Sequence, residues 1–316
     1  MARSTADWYR EFATTEARLS SPLYADLSAG VADDDEVLGL LAELPEPKRQ
    51  PNLLLAATRM VAGLAPDYAG FRRSVLAHRD RILDLMRVRR TQTNEPGRCA
   101  ALYPVLASLP QPLALLEVGA SAGLCLLPDR YQYRYDDRPV GDPNSPVVLR
   151  VRTEGGFRLP GPISVAWRAG IDLNPLDVTD PDDVAWLEAL VWPGDHDRRE
   201  RLSAAVRVAR RDPPRIVAGD LNERLGEVAA QAPAGATLVV YHTAVLYYLA
   251  EAARERFAAQ VAALGAHWLT QEASGLVPGA PAPEPPDPSA AAFLVTLDRQ
   301  PLAFAPPHGG WLRWIA

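Results

Sequence analysis

Leu115-Leu116-Glu117-Val118-Gly119-Ala120-Ser121-Ala122-Gly123-Leu124 is the stretch that decides the fold class. An apolar run that begins at Leu113 ends on one acidic residue. It then passes through a turn of small residues with glycines at 119 and 123, and resumes as an apolar, helix-compatible pattern. A strand buried on both faces reads as such an unbroken apolar run. Glycine is needed where the backbone turns sharply or lies close to a ligand. A helix after the turn would present unpaired N–H groups and a partial positive charge. Ligands of open α/β sheets sit at the carboxyl ends of strands. The stretch is therefore expected to floor a nucleotide-type site, the other reading being a tight structural strand-to-helix turn.

Similar apolar runs recur downstream at 163–171, 215–218, 237–241, 267–270 and 293–297, and in a tail from 302 to 315. Helical patterns at 182–190, 198–210, 221–230 and 251–264 separate most of them. Alternating strands and helices predict a mostly parallel sheet with helices on both faces. Only 298–301 separates the last two runs, too short for a crossover helix, so these should form an antiparallel hairpin. Upstream, residues 1–110 read as helical, with stripes at Trp8, Phe12 and Leu19, at 37–44, at 53–61, at 71–86 and at 99–109. Two segments break the pattern. Residues 131–162 read as an inserted hairpin or meander, and 278–288, with six prolines, as a stiff surface loop or flap. The division expected is a helical lid region at 1–110 and an α/β domain at 111–316.

Composition narrows the chemistry. With 316 residues, 48% hydrophobic and 23% charged, the chain is an ordinary globular one. A net charge of -6 argues against a nucleic-acid surface and for a small-molecule partner. Lys48 is the only lysine, which removes lysine-dependent mechanisms elsewhere. Two cysteines, Cys99 and Cys125, do not make a disulfide scaffold. The polar amino-terminal stretch and the lack of any apolar run near the roughly 20 residues of a bilayer span predict a cytoplasmic protein without a membrane segment. No metal site is expected, because the five histidines and two cysteines show no ligand spacing.

Three later stations continue what the glycine turn begins. Asp172, in Gly170-Ile171-Asp172-Leu173-Asn174-Pro175, ends a second strand and is a candidate to accept from both ribose hydroxyls. Asp136 is the competing ribose acid, because it lies nearer the usual spacing of some 20 residues after the glycine turn. Asp220 ends a third strand and could accept from an adenine amine. Tyr241 and His242 end a fourth, and Glu272 follows the fifth. His242 is the leading candidate for a general base, with Tyr241 and Glu272 behind it; the other readings are structural hydrogen bonds for His242, core packing for Tyr241 and a surface carboxylate for Glu272. Asn94, Glu95 and Arg98, in the polar turn before the helix leading to the first strand, are candidates to bind substrate or a carboxylate, or simply to cap that helix. Trp186 and Trp192 read as packing residues, an adenine wall being the lesser reading.

Glu117-x-Gly119-x-x-x-Gly123 resembles motif I of class I S-adenosylmethionine-dependent methyltransferases, and residues 111–316 resemble their Rossmann-like core with its antiparallel final strands. The whole chain resembles more closely a bacterial family of unknown function, number 2332 among such domains. That resemblance rests on Gln92-Thr93-Asn94-Glu95-Pro96-Gly97-Arg98-Cys99-Ala100-Ala101, the EVGASAGL turn, GIDLNPLDV, WLEALVWP and GDLNERL.

The methyltransferase resemblance implies a bound S-adenosylmethionine. Gly119, Ser121 and Gly123 would shape the turn around its methionine part, Glu117 would orient that turn or meet the amino group, and Asp172 and Asp220 would take ribose and adenine. Three features depart from the pattern: Ser121 replaces the middle glycine, Pro128 should shorten the following helix, and Asp172 lies late because of the insert. The function expected is methyl transfer to a small molecule. One alternative is binding of S-adenosylmethionine or another nucleoside without methylation. Another is a serine hydrolase, since Gly119-Ala120-Ser121-Ala122-Gly123 resembles a degenerate nucleophile elbow that His267 or His308 would have to serve.

Overall fold

Ser4, Ser21, Asp34 and Asp67 each accept from a backbone N–H two or three residues ahead, and so start four helices. These are α1 (Thr5–Phe12), α2 (Pro22–Ala32), α3 (Asp35–Ala42) and, after α4 (Pro51–Ala62), α5 (Tyr68–Ala77). The remaining helices are α6 (Arg79–Val88), α7 (Cys99–Ser108), α8 (Pro181–Ala189), α9 (His196–Ala209), α10 (Leu221–Ala229) and α11 (Glu251–Ala263). The computed structural model describes residues 3–18, 20–285, 287 and 291–316; Leu19 of the first stripe, and Pro286 and Pro288 of the proline-rich segment, lie outside them.

The chain divides into two units, one of Met1–Thr93 and Pro181–Glu200, the other of Asn94–Asp180 and Arg201–Ala316. In the first, Trp192 stacks edgewise on Phe12 at 5.5 Å and donates its indole N–H to Asn52 at 2.9 Å. Trp186 donates to the Arg90 carbonyl, and Arg89 pairs with Asp183. Both tryptophans are therefore packing residues of the helical unit.

The second unit holds an eleven-stranded sheet. Its strands are β1 (Leu113–Val118), β2 (Gln132–Tyr135), β3 (Arg138–Gly141), β4 (Val148–Glu154), β5 (Val165–Asp172), β6 (Ile216–Ala218), β7 (Thr237–Thr243), β8 (His267–Glu272), β9 (Phe293–Leu297), β10 (Gln300–Ala305) and β11 (Trp311–Trp314). Their order is β3-β2-β4-β11-β10-β9-β8-β7-β1-β5-β6. The run β6-β5-β1-β7-β8 is wholly parallel and repeats the 3-2-1-4-5 order of a Rossmann-type sheet. The chain is thus an α/β protein with a Rossmann-like core. Strand order reverses between β1 and β7, and the crevice outside their carboxyl ends is where such sheets bind ligands.

Three expectations are corrected. No α-helix follows the glycine turn: short 3-10 turns at Leu124–Leu126 and Pro128–Arg130 lead straight into β2. Pro128 has no N–H for Leu124 and its ring crowds that carbonyl, so helix cannot propagate there. The antiparallel strands β9 and β10 are not the sheet edge. The tail forms two strands instead of one, and β11 pairs with β10 on one side and β4 on the other. The insert is therefore part of the same sheet.

The missing helix is replaced by a tyrosine ladder. Tyr131, just before β2, and Tyr133 and Tyr135 within it alternate along the chain, and all three are buried. Their hydroxyls donate to the carbonyls of Leu124, Pro128 and Ala100. Ala100 needs such a donor because Pro104, four residues on in α7, cannot supply one. The other face of the sheet is closed by α10 and α11, whose Leu225, Val228, Phe257 and Val261 meet Leu116, Val118, Val240 and Trp268. Full burial of each such side chain contributes roughly 1.5–3 kcal/mol. No helix among the described residues is long and apolar enough to cross a membrane.

Candidate functional site

Glycine is required at both ends of the β1 turn. Gly119 has φ 70° and Gly123 φ 73°, and a Cβ on Gly119 would stand 2.4 Å from Val245 Cγ2. Ser121 between them also has a positive φ, 52°, which is uncommon for a residue with a side chain. Asp172 holds it there. Its Oδ2 accepts from Ser121 N at 2.8 Å, while Oδ1 accepts from Asn174 N at 2.8 Å. One carboxylate thus ties the β1 turn to the end of β5.

Asn94 and Arg98 reach the same place from the other side. Asn94 Oδ1 accepts from Leu124 N at 2.8 Å. Arg98, buried, donates to the Thr243 carbonyl at 3.0 Å and hydroxyl at 3.1 Å, and to the Pro307 carbonyl at 3.0 Å. Glu95 faces elsewhere: its Oε1 accepts from Gly97 N and forms an ion pair with Arg201 at 2.7 Å. The Cys125 carbonyl, next to the turn, accepts from Tyr241 Oη at 3.0 Å. The Cys125 thiol is pushed up by the adjoining Cys99 thiol and by burial.

Strand alternation sorts the remaining candidates. Val240 and Trp268 face α10 and α11, so Tyr241, Thr243 and Gln271 face the opposite side with Glu117 and Arg98. His242 and Glu272 face α11. There His242 Nε2 accepts from Trp268 Nε1 at 3.0 Å and its Nδ1 lies 2.7 Å from Glu272 Oε1. The indole can only donate, so the ring proton sits on Nδ1 and neither nitrogen is left to accept one. His242, fully buried against Phe257, is a structural residue and not the general base expected of it. Glu272 Oε1 also accepts from Val245 N and Leu246 N, and thereby anchors the loop after β7. Tyr241 is equally enclosed; burial pushes its phenol well above the ordinary range.

Asp220 caps α10 by accepting from Asn222 N at 2.8 Å. Asp136 lies in the β2–β3 turn and accepts from Thr153 N at 2.8 Å and from the Thr153 hydroxyl. That turn belongs to the far end of the sheet, its strands β2 and β3 seven and eight places from β1 in the sheet order, so Asp136 cannot serve as the ribose acid.

What remains is a set of buried acceptors. Glu117 Oε2, Ser121 Oγ and Gln271 Oε1 have no hydrogen-bond partner among the described residues. Glu117 is 1% exposed, and burial, helped by the Cys125 thiol, pushes its carboxyl well above the usual range against the pull of Arg98. Buried polar atoms in native proteins are nearly all satisfied, so these three, at the carboxyl ends of β1 and β8, are candidate ligand contacts. Sequence reading missed Thr243 and Gln271. Their signal was polar residues closing apolar strands, in the same register position of β7 and β8.

Among the described residues no group of His, Cys, Asp and Glu is placed to hold a metal ion. No curated protein and no solved structure matches the chain. A family model does match, over residues 6–314, and the chain belongs to that family, described as an uncharacterized protein conserved in bacteria (DUF2332).

Proposed function

We propose that the crevice at the carboxyl ends of β1, β5 and β7 binds S-adenosylmethionine and that the protein transfers its methyl group to a small molecule. The observation that carries this reading is Glu117, a buried carboxylate with an unpartnered oxygen directly beneath the Gly119–Gly123 turn. An ammonium is the natural complement of such a group, because it supplies both the missing charge and the missing donor. Arg98, on the same side of the sheet, suits the neighbouring carboxylate of an amino-acid moiety. Asp172 holds the turn and, as the acid that ends β5, is the candidate to meet the ribose hydroxyls. The lack of a helix after the turn bears on the choice as well. Pyrophosphate-bearing dinucleotides draw on a helix N-terminus; a cationic nucleoside without phosphates does not.

The bound sulfonium would supply an already electrophilic methyl group. The chain would supply alignment and exclusion of water. With Tyr241 enclosed and His242 and Glu272 on the α11 face, away from the crevice, the reading takes an acceptor that brings its own free lone pair. Calorimetric titration of the purified protein with S-adenosylmethionine and S-adenosylhomocysteine tests the reading. Binding to both is expected, weakened by Glu117→Gln. A folded protein that binds neither ligand sinks it; binding without turnover on any acceptor would leave a nucleoside-binding protein.

The positive φ and orphan hydroxyl of Ser121 favour a second reading, a serine hydrolase. Against it, His267 pairs with Asp298 at the amino end of β8, the wrong end of the sheet, and His308 has its ring 4.0 Å from the Glu95 carboxylate, which is itself paired with Arg201. A fluorophosphonate probe should leave Ser121 unlabelled.

A further inference from the structure

Three of the most exposed large apolar side chains of the sheet unit border the β1 turn. Leu173, 62% exposed, directly follows Asp172 on one side. On the other side stand Tyr247 and Tyr248, 54% and 62% exposed, their rings 3.8 Å apart between centroids. A stacked, exposed aromatic pair of this kind offers a flat apolar face to a ligand. The tyrosines are also held in place. Glu272 fixes the two residues before them through Val245 N and Leu246 N, and Val245 packs on Gly119. Arg98 links this pair to the buried acceptors. It bonds Thr243, four residues before Tyr247 and the register partner of Gln271. Gln271 is fully buried, its amide N–H₂ directed at the Pro306 carbonyl at 3.5 Å and its Oε1 unpartnered.

We propose that the methyl acceptor is a planar nitrogen heteroaromatic bearing an amide or amino N–H, its ring against Tyr247–Tyr248 and its N–H on Gln271 Oε1. This rests on the methyltransferase reading. Such an acceptor needs no general base: a pyridine-type nitrogen keeps its lone pair at neutral pH and has no proton to lose. That lone pair forms the new N–C bond as the C–S bond breaks. The bonding electrons leave with sulfur, which becomes a neutral thioether, and the positive charge passes to the ring. A ring that turns cationic during reaction is drawn to tyrosine faces, so the pair would favour the transition state over the bound substrate.

Saturation-transfer NMR provides a readout independent of turnover. The probes are nicotinamide, methyl nicotinate, which keeps the ring and has no N–H, and cyclohexanecarboxamide, which keeps the N–H and has no aromatic ring. Each is measured with and without S-adenosylhomocysteine. Nicotinamide should bind about tenfold more tightly than either control, one hydrogen bond or one aromatic contact being removed in each. Tyr247→Ala/Tyr248→Ala should weaken nicotinamide about tenfold while S-adenosylhomocysteine binding stays intact; these side chains are exposed, so the variant folds. Gln271→Met should abolish the preference for nicotinamide over methyl nicotinate. Retained S-adenosylhomocysteine binding with equal response to all three probes overturns the acceptor class and leaves the cofactor reading standing. Tyrosine-dependent nicotinamide binding without S-adenosylhomocysteine binding supports the aromatic site and overturns the cofactor reading.

Discussion

Replacing Glu117 by Gln should make the protein more stable at neutral pH and a poorer binder. The side chain is 1% exposed and Oε2 has no partner among the described residues. Burial therefore favours the neutral acid in the folded state, and the Cys125 thiol adds to this while Arg98 opposes it. In the unfolded chain the group titrates near the usual ~4.3. The stability contributed by neutral Glu117 is complete below that value and is lost as pH rises through the raised folded value, because only the unfolded state has then released its proton. Gln does not titrate. The stability gap between Glu117→Gln and the natural protein should thus widen with pH by up to about 1.4 kcal/mol per unit. For a cooperative unit of this size that is roughly 3–6 °C in Tm per pH unit. Scanning calorimetry of both proteins from pH 5 to 8 reads the effect, and every other titrating group common to both cancels. Saturating S-adenosylhomocysteine should flatten the natural protein's dependence by pairing its ammonium with the carboxylate. A gap that stays constant with pH, or a variant that becomes the less stable protein at pH 8, would falsify the assignment of Glu117 as a buried, unpaired acid.

Asp172→Ala leaves the N–H groups of Ser121 and Asn174 without their acceptor and should cost about 2–5 kcal/mol with loss of ligand binding, whereas Asp136→Ala should lower stability by about 1 kcal/mol and leave binding unchanged; calorimetry on both variants decides. Gly119→Ala places a methyl 2.4 Å from Val245 at a φ of 70°. Strain and overpacking should together remove about 2–5 kcal/mol in urea denaturation, and a neutral result would show the turn to be differently built. His242→Ala removes a buried ring and strands the Trp268 indole N–H, so a loss of about 3 kcal/mol is expected. Unchanged stability with abolished turnover would return His242 to the catalytic candidates.

Much of this was legible in the residues. The run from Leu113 to Val118 reads as a doubly buried strand because it is one, and the Asp-Leu-Asn-Pro sequence at 172–175 marks a strand end with an acid on it. The failures have physical causes. Leu124, Leu126 and Leu127 are apolar because they are buried, and a buried irregular segment held by side-chain hydroxyls has the same composition as a helix. Tyr241 and His242 are consecutive, so in a strand they must face opposite ways. The sequence contains that fact but not which face is the crevice. Assignment of the faces needed α10 and α11 to be seen against Val240 and Trp268. Gln271 was hidden by the same ambiguity, beside a Glu272 that looked more chemical.

The pairing of β4 with β11 has a consequence in time as well as in space. Arg152 lies opposite Trp311, so one edge of β4 acquires its partner only after the intervening chain has been made. Until then the β2–β4 strands can form, but the carbonyls and amides of β4 on that side face outward, ready to template another strand. Parallel pairing across so long a separation is also slow to nucleate. The tyrosine ladder that replaces the helix thus sits on a platform completed late, and synthesis of this protein should pass through a stage in which its largest sheet is open in the middle and dependent on protection from its neighbours.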